Sequence, residues 1–186
     1  ANDILVDKYK NNKTPFDLCR PYYDEVKNIK DDVLKKMYID INFWLPNDIL
    51  LKADKMSMAN SVELRVPFLD KEVWAVSKNL PTKYMVKDGK TKEIFRNITN
   101  EKLPDAWANR RKLGFPVPFG KWVKEEKYYK MVKETFNSDY AKEFFNIDEI
   151  NKLLDDHYTK DLTNGKKIYV IYAFLIWYKR FFIDEK

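Results

Sequence analysis

The stretch "KADKMSMANSVELRVPFLD" (residues 52–70) decides how the fold is interpreted, because it threads charges through a run of residues suited to a core. Its apolar members are Met56, Met58, Val62, Leu64, Val66, Phe68 and Leu69. Its charged members are Lys52, Asp54, Lys55, Glu63, Arg65 and Asp70. A charge buried without a partner is costly, and one buried with a partner usually has a specific task. The rest of the sequence has to explain which task that is.

The composition predicts a folded, soluble chain that is one domain or a large piece of one. Of its 186 residues, 34% are charged, 45% are hydrophobic and 16% are aromatic, which allows a sizeable core and is unlike a disordered chain. The 35 lysines and arginines exceed the 29 acidic residues by a net charge of +6. Because the lysines alternate with acids, we expect a solvated basic surface and no nucleic-acid partner.

The rare residue types exclude several classes of site. Cys19 is the only cysteine, which excludes an intrachain disulfide and a thiolate metal cluster and fits a reducing cytoplasm. His157 is the only histidine, which excludes a histidine-rich zinc site, and its place near a helix end predicts a solvated side chain. The longest apolar run, Ile168 to Tyr178, is shorter than the roughly 20 residues of a membrane-spanning helix. We therefore expect a buried helix there and no membrane partner.

Glycine usage and periodicity predict an all-α fold that forms one helical unit. The chain has four glycines, and no segment alternates with a period of two over the length of a strand. Asp70 has the setting of a helix N-cap, Pro46 suits the first turn of a helix, and Asp88 with Gly89 predicts a tight turn. The predicted helices span residues 2–11, 21–30, 32–44, 46–60, 70–79, 90–100, 121–136, 147–159 and 166–182.

The charges of the opening stretch fall into two groups. Asp48, Lys52 and Lys55 are spaced to share one face of a helix, where an amphipathic surface helix explains them as well as a site does. Glu63 and Arg65 lie on the same side of an extended segment. They could tie this segment to neighbouring helices or face a cleft, since the guanidinium fork suits either a carboxylate or a phosphate.

A second irregular stretch, "ANRRKLGFPVPFGKW" (residues 108–122), also carries a cluster of charge. Arg110, Arg111 and Lys112 precede a glycine, and the two prolines that follow exclude a regular helix. The stretch is predicted to form a stiff, extended loop with cations at its base. A lysine beside aromatic and proline walls is partly desolvated and attracts phosphate strongly, although a simple surface patch explains the cluster equally well.

Together, "LPNDILLKADKMSMANSVELRVPFLD" (45–70) and "NRRKLGFPVPFGKW" (109–122) resemble the C-terminal part of the synthetase domain of glutamine-hydrolysing asparagine synthetases. That family has an Asp-x-x-x-Lys-x-Asp-[Arg/Lys]-x-[Ser/Thr]-Met helix, a Glu-x-Arg-Val-Pro-Phe-Leu-Asp segment and a later Lys-x-Gly-Phe-x-x-Pro loop. The match covers the order and spacing of these motifs. About forty residues at the N-terminal side and those after about residue 125 agree only in being helical.

The resemblance implies a synthetase domain of the pyrophosphate-cleaving ATP type, similar to the adenine nucleotide α-hydrolases, with ATP and Mg²⁺ as cofactors. Aspartate would react with ATP to give β-aspartyl-AMP, and ammonia released from glutamine by an N-terminal glutaminase domain would displace AMP. Lys112 and Asp48 match catalytic positions of the cleft. Arg111, Arg65 and Glu63 match cofactor-binding or supporting positions, and Arg110 is a weaker companion.

The chain also departs from the family pattern. It lacks the Ser-Gly-Gly-x-Asp-Ser loop that grips pyrophosphate, and it lacks the Gly-Glu-Gly-x-Asp segment that supplies a magnesium ligand. Cys19 has no glutaminase setting. Residues 1–186 are therefore expected to be the helical C-terminal part of an α/β domain whose parallel sheet is mostly missing, with no metal ligands and no activity of their own. In this interpretation the charges of residues 48–70 line a cleft for nucleotide and aspartate.

Other interpretations stay open at this point. A related enzyme that adenylylates another carboxylate, such as a β-lactam- or amide-forming enzyme, would share the same helical wall. A non-catalytic helical interaction module would need only the aromatic residues and the surface lysines. The sequence also leaves the assembly open, with a homodimer as one option.

Overall fold

The computed structural model describes residues 2–10, 13–110, 114, 117–160 and 164–184. It divides into two compact units, the middle unit (Lys13–Leu113) and the terminal unit (Ala1–Asn12 with Gly114–Lys186). Both units are mainly helical, and the described residues contain a single sheet of two short strands. The helical character agrees with the sequence prediction, whereas the α/β domain around it stays a prediction, as does the assignment of residues 1–186 as one C-terminal part.

The middle unit is a series of short helices with one small hairpin. Its α-helices and strands are α1 (Pro15–Glu25), α2 (Asp32–Ile39), α3 (Leu51–Met58), α4 (Lys71–Ser77), β1 (Val86–Lys87), β2 (Lys90–Thr91), α5 (Glu93–Lys102) and α6 (Asp105–Ala108). Short 3₁₀ helices at Pro67–Leu69 and Thr82–Tyr84 connect them. Local sequence fixes several of these boundaries: Thr14 and Asp17 form a capping box at α1, with the Asp17 amide donating to Thr14 Oγ1 over 3.2 Å.

Residues 32–58 form one continuous helix whose middle is π-helical. A π-helical segment, Asp40–Leu50, joins α2 to α3, and Pro46 lies inside it. The prediction of two helices, with Pro46 in the first turn of the second, was therefore wrong. A proline ring collides with the preceding turn of an α-helix, and the wider π-helical turn accommodates this ring without ending the helix.

Two local signals in the middle unit were interpreted correctly. The carboxylate of Asp70 caps α4 by accepting hydrogen bonds from the amides of Glu72 and Val73 at 2.8 and 3.3 Å. The β1–β2 hairpin turns at Asp88 and Gly89, whose φ angles of 49° and 73° are the left-handed values of a tight hairpin turn.

The terminal unit combines the start of the chain with its last helices. Its helices are α7 (Phe119–Trp122), α8 (Glu126–Phe136), α9 (Asp139–Lys142), α10 (Ile147–Thr159) and α11 (Gly165–Tyr178), and α11 continues as a π-helical turn over Lys179–Ile183. Residues 2–11 were predicted as a helix, but this was wrong. The described part forms two 3₁₀ turns around a backbone bridge between Leu5 and Phe145, with the Val6 amide donating to the Phe144 carbonyl over 3.0 Å.

The core of the terminal unit lies where α8, α10 and α11 pack together. Its buried apolar residues are Val123, Val132, Phe136, Ala141, Phe145, Ile150, Leu154, Ile168, Ile171 and Leu175. Three of these belong to the apolar run of α11, so the predicted buried helix is confirmed. Within the described ranges, none of the helices combines the length and apolarity needed to cross a membrane.

His157 is buried in the terminal unit, and the prediction of a solvated side chain was wrong. Its side chain is only 4% exposed, and Nε2 lies 2.8 Å from the Gly120 carbonyl oxygen, to which it donates. The reason is the helical period: Ile150, Leu154 and His157 are spaced by four and three residues and share the inward face of α10. The sequence contained this signal, but the residue's closeness to the helix end concealed it.

Candidate functional site

The carboxylate of Asp48 is oriented by two side chains of its own helix. Asp48 lies in the π-helical segment, where the indole Nε1 of Trp44 donates to its Oδ2 over 2.9 Å. On the other side, Lys52 Nζ lies 3.7 Å from Oδ1. Both partners are four residues away, which is the spacing that places side chains on one helix face. The ion pair with Lys52 was predicted from the sequence, whereas Trp44 was overlooked.

Glu63 and Arg65 are paired in the irregular segment that follows α3. Arg65 Nη2 lies 3.1 Å from Glu63 Oε1, so the prediction that the two side chains lie on one side is confirmed. The guanidinium is 83% exposed and the carboxylate 72% exposed, so neither is buried in a tight network. A guanidinium has five N–H donors, and one contact with Glu63 leaves most of them for a phosphate or carboxylate.

The apolar residues interleaved with these charges are also exposed. Met56, Leu64 and Phe68 expose 60%, 51% and 62% of their surfaces. Phe68 packs edge-on against Phe95 at a centroid distance of 4.8 Å. Residues 52–70 therefore present charged and apolar side chains together on the surface of the described middle unit.

The second half of the predicted site lies largely outside the described residues. Lys112, the strongest site candidate, and its weaker companion Arg111 both fall there, while Arg110 is described and exposed. That Lys112 and Asp48 face one cleft therefore stays a prediction.

The described residues do not fit a magnesium site of their own. No three of their histidine, cysteine, aspartate or glutamate side chains are grouped closely enough to hold a metal ion. They do fit the recognition of an anion, because Lys52 and Arg65 are solvent-accessible cations beside exposed apolar side chains. A nucleotide combines a phosphate chain with an apolar base, and such a surface has complementary chemistry.

Comparison with known proteins agrees with the sequence motifs. The profile of the family described as "Asparagine synthase" matches residues 4–179. The chain is 38% identical to "Asparagine synthetase [glutamine-hydrolyzing] 1" of Bacillus subtilis, over 97% of this chain and 29% of that protein. It is 35% identical to "Putative asparagine synthetase [glutamine-hydrolyzing]" of Mycobacterium tuberculosis, over 90% of this chain and 26% of that protein.

These similarities cover almost the whole chain but only part of each relative. The chain thus spans less than a third of the length of the curated relatives it matches. No solved structure matches the chain significantly.

Proposed function

Because the chain belongs to the asparagine synthase family, we propose that it forms one wall of the active site of a ligase that makes asparagine from aspartate, ATP and ammonia. The observation that carries the proposal is the family match over residues 4–179, which includes both irregular, charge-bearing stretches. The names of the relatives, which describe glutamine-hydrolysing enzymes, support glutamine as the source of ammonia.

The proposed reaction has two steps. A side-chain carboxylate oxygen of aspartate forms a bond to the α-phosphorus of ATP, and the bond from that phosphorus to pyrophosphate breaks. The nitrogen of ammonia then attacks the acyl carbon of β-aspartyl-AMP, AMP leaves with the electrons of the carbon–oxygen bond, and the nitrogen loses one proton. The first step concentrates negative charge on the phosphates, so it needs fixed cations nearby.

The residues of this chain have different parts in the proposal. Lys112, with Arg111 beside it, supplies positive charge to the phosphates. Asp48 is a hydrogen-bond acceptor on the wall of the cleft, and Trp44 fixes the direction of its carboxylate. Glu63 and Arg65 support the irregular segment of the wall, and their ion pair of 3.1 Å is in keeping with this role.

The rest of the machinery is assigned to other parts of the intact protein. The chain has no Ser-Gly-Gly-x-Asp-Ser loop, and it spans only 29% of its Bacillus relative. We likewise propose that the magnesium ligands come from other parts of the protein, as the absence of a Gly-Glu-Gly-x-Asp segment from this sequence suggests. We expect no asparagine, AMP or pyrophosphate when the 186-residue chain alone is supplied with aspartate, ammonia and MgATP.

Pyrophosphate exchange tests the assignment of Lys112. In the intact protein, Lys112→Ala is expected to reduce aspartate-dependent ATP–pyrophosphate exchange by at least about 100-fold, because an electrostatic contact made in the transition state is lost. Glutamine hydrolysis should persist. Lys102→Ala is the matched control, since Lys102 is an exposed lysine at the end of α5. Undiminished exchange in Lys112→Ala would remove the role given to this lysine.

Asp48 offers a second test within the described residues. Asp48→Asn keeps the shape of the side chain and removes its charge, and we expect lower exchange activity with an unchanged unfolding free energy. Its ion pair with Lys52 is long and half exposed, so little stability depends on it.

Repeating the exchange assay with other carboxylic acids tests the substrate: a preference for an acid other than aspartate contradicts asparagine synthesis.

A further inference from the structure

A cavity of about 730 Å³ opens in the terminal unit, and the proposed function makes no use of it. Its volume lies within the range of about 300–1,000 Å³ that is typical of small-molecule sites. The walls are mostly apolar and come from two places in the chain. Val117, Pro118 and Phe119 line it together with Tyr169 and Val170 of α11. Phe119 and Tyr169 pack edge to face at a centroid distance of 5.3 Å.

The floor of the cavity is built from two glycines and the buried histidine. Gly120 and Gly165 approach so closely that a Cβ atom added to Gly165 would lie 2.8 Å from the Gly120 Cα. The ring of His157 lies against both glycines and is fixed by its hydrogen bond to the Gly120 carbonyl.

The cavity lining carries positive charge from three lysines, Lys121, Lys124 and Lys166. Lys124 donates to the Lys160 carbonyl over 3.1 Å. Lys121 and Lys166 are exposed, and among the described residues no carboxylate lies within ion-pair distance of either. α11 begins at Gly165, one of the glycines that line the cavity, so the positive end of the α11 dipole lies at the cavity as well.

From these features we propose that the cavity binds a small organic anion, one that joins an aromatic or aliphatic body to a phosphate or carboxylate group. The apolar side chains of the lining bury the aromatic or aliphatic body of the ligand, and the lysines of the lining attract its phosphate or carboxylate group. Charge complementarity selects an anion over a neutral or cationic ligand of the same shape. The cavity borders the loop that carries Lys112, since Val117 to Lys121 belong to the same stretch of residues 108–122. None of the residues to which the proposed ligase function gives a role lines the cavity, so binding there is a further property of this chain.

The single histidine makes a direct binding assay available. His157 is the only histidine of the chain and lines the cavity, so its Cε1–Hε1 signal in a ¹H–¹³C NMR spectrum reports on this site without further assignment. The full 186-residue chain is titrated with 1-naphthyl phosphate and with 1-naphthoate, which carry the two kinds of anionic group. Two further probes, 1-naphthol and inorganic phosphate, supply the body and the charge separately.

The proposal predicts a saturable shift of the His157 signal with at least one of the two naphthyl anions. It also predicts that 1-naphthol and inorganic phosphate each bind at least about fivefold more weakly than that anion. The tighter of the two anions identifies the anionic group. Binding to 1-naphthol as tight as to both anions would overturn the proposal, because charge would then not be recognised. Equal binding of inorganic phosphate would also overturn it, since a patch of lysines would then suffice.

Substitutions locate the binding. Lys121→Gln and Lys166→Gln should each weaken binding about twofold to fivefold, the range expected for an exposed ion pair. Lys167→Gln removes the same charge one residue along α11 but outside the cavity lining, and it should leave binding unchanged. Val170→Asp places a like charge on the wall and should abolish binding; Val170 is 65% exposed, so the fold tolerates the change, as circular dichroism would check. Binding that is unaffected by Lys166→Gln and Val170→Asp overturns the proposal.

Discussion

The two units of the molecule differ sharply in how they treat their apolar residues. Among the described residues of the terminal unit, ten apolar side chains and one histidine are buried around α8, α10 and α11. Among those of the middle unit, Val26 alone is buried. The middle unit nevertheless contains many large apolar side chains, including Leu64, Phe68 and Trp107, that are half exposed or more. Similar compositions have thus led to a closed core in one unit and an open apolar surface in the other.

The two units therefore differ in the interactions that stabilise them. The terminal unit has a buried apolar core, which stabilises it by removing apolar surface from water. The middle unit instead has polar contacts, such as the helix caps of α1 and α4 and a 2.5 Å hydrogen bond that Thr82 donates to Asp31, 51 residues away. Exposed apolar groups that are contiguous usually mark a surface that another protein region covers. We propose that in the ligase this surface packs against the parts of the protein that bind pyrophosphate.

Truncating one leucine in each unit tests the comparison most strongly. Leu154→Ala removes a side chain with no exposed surface from the terminal core, and we expect it to lower the unfolding free energy by about 3 kcal/mol. Leu64→Ala removes a side chain that is 51% exposed in the middle unit, and it should cost about 0.5 kcal/mol or less. Urea denaturation, with amide hydrogen exchange followed separately in α10 and α3, measures both. Equal losses would show that the contrast between the units is false.

Adding a side chain at one glycine in each unit compares how closely the backbone is packed at the two sites. In Gly165→Ala, the new Cβ would lie 2.8 Å from the Gly120 Cα, so the backbone must move, and we expect a loss of about 2 kcal/mol. The counterpart in the middle unit is Gly89→Asn. Gly89 has φ of 73° and no atom within 4 Å of an added Cβ, and asparagine tolerates that conformation, so stability should hardly change. Thermal unfolding of both variants checks this, and a harmless Gly165→Ala would contradict the close contact.

Sequence patterns predicted what depends on local chemistry. The N-cap at Asp70, the turn at Gly89, and the buried helix of the last apolar run were all found from residue type and spacing. The ion pairs Asp48–Lys52 and Glu63–Arg65 were also found, because short sequence separation makes their geometry predictable.

Features that depend on distant parts of the chain could not be predicted in this way. The pairing of Leu5 with Phe145 joins residues 140 positions apart, and nothing local indicates it. The burial of His157 depends on the Gly120–Gly165 contact, which exists only once three helices have packed. The helix through Pro46 continues because a π-helical turn absorbs the ring, whereas the local rule for proline predicts a boundary.

One ion pair of the terminal unit is held by more contacts than the Glu63–Arg65 pair of the middle unit. In the terminal unit, Lys133 Nζ lies 2.7 and 2.8 Å from the two oxygens of Asp155, which also accepts a hydrogen bond from Tyr129 over 2.6 Å. Partial burial raises the pKa of the Asp155 carboxyl, but the hydrogen bonds from Lys133 and Tyr129 and the charge of Lys133 outweigh it, so the pKa lies below its usual value. In the middle unit, the Glu63–Arg65 pair is a single, mostly exposed contact.

The weakest of the expected effects follows from this difference. Because the folded-state pKa of Asp155 lies below its unfolded value of about 3.9, the group stabilises the fold above that pH, and the contribution is lost as the pH falls through the folded-state pKa. We therefore expect Asp155→Asn to lower the unfolding free energy by about 1 kcal/mol at pH 7. This figure is reduced because the side chain is 46% exposed. The variant should also lose less stability than the parent chain as the pH falls below about 4. Glu63→Gln should change neither quantity measurably. Urea titrations from pH 7 to about pH 2.5 measure the unfolding free energy of both variants and of the parent chain. If the unfolding free energies of Asp155→Asn and the parent chain fall equally with pH at the acid end, this network adds no more stability than an exposed pair does.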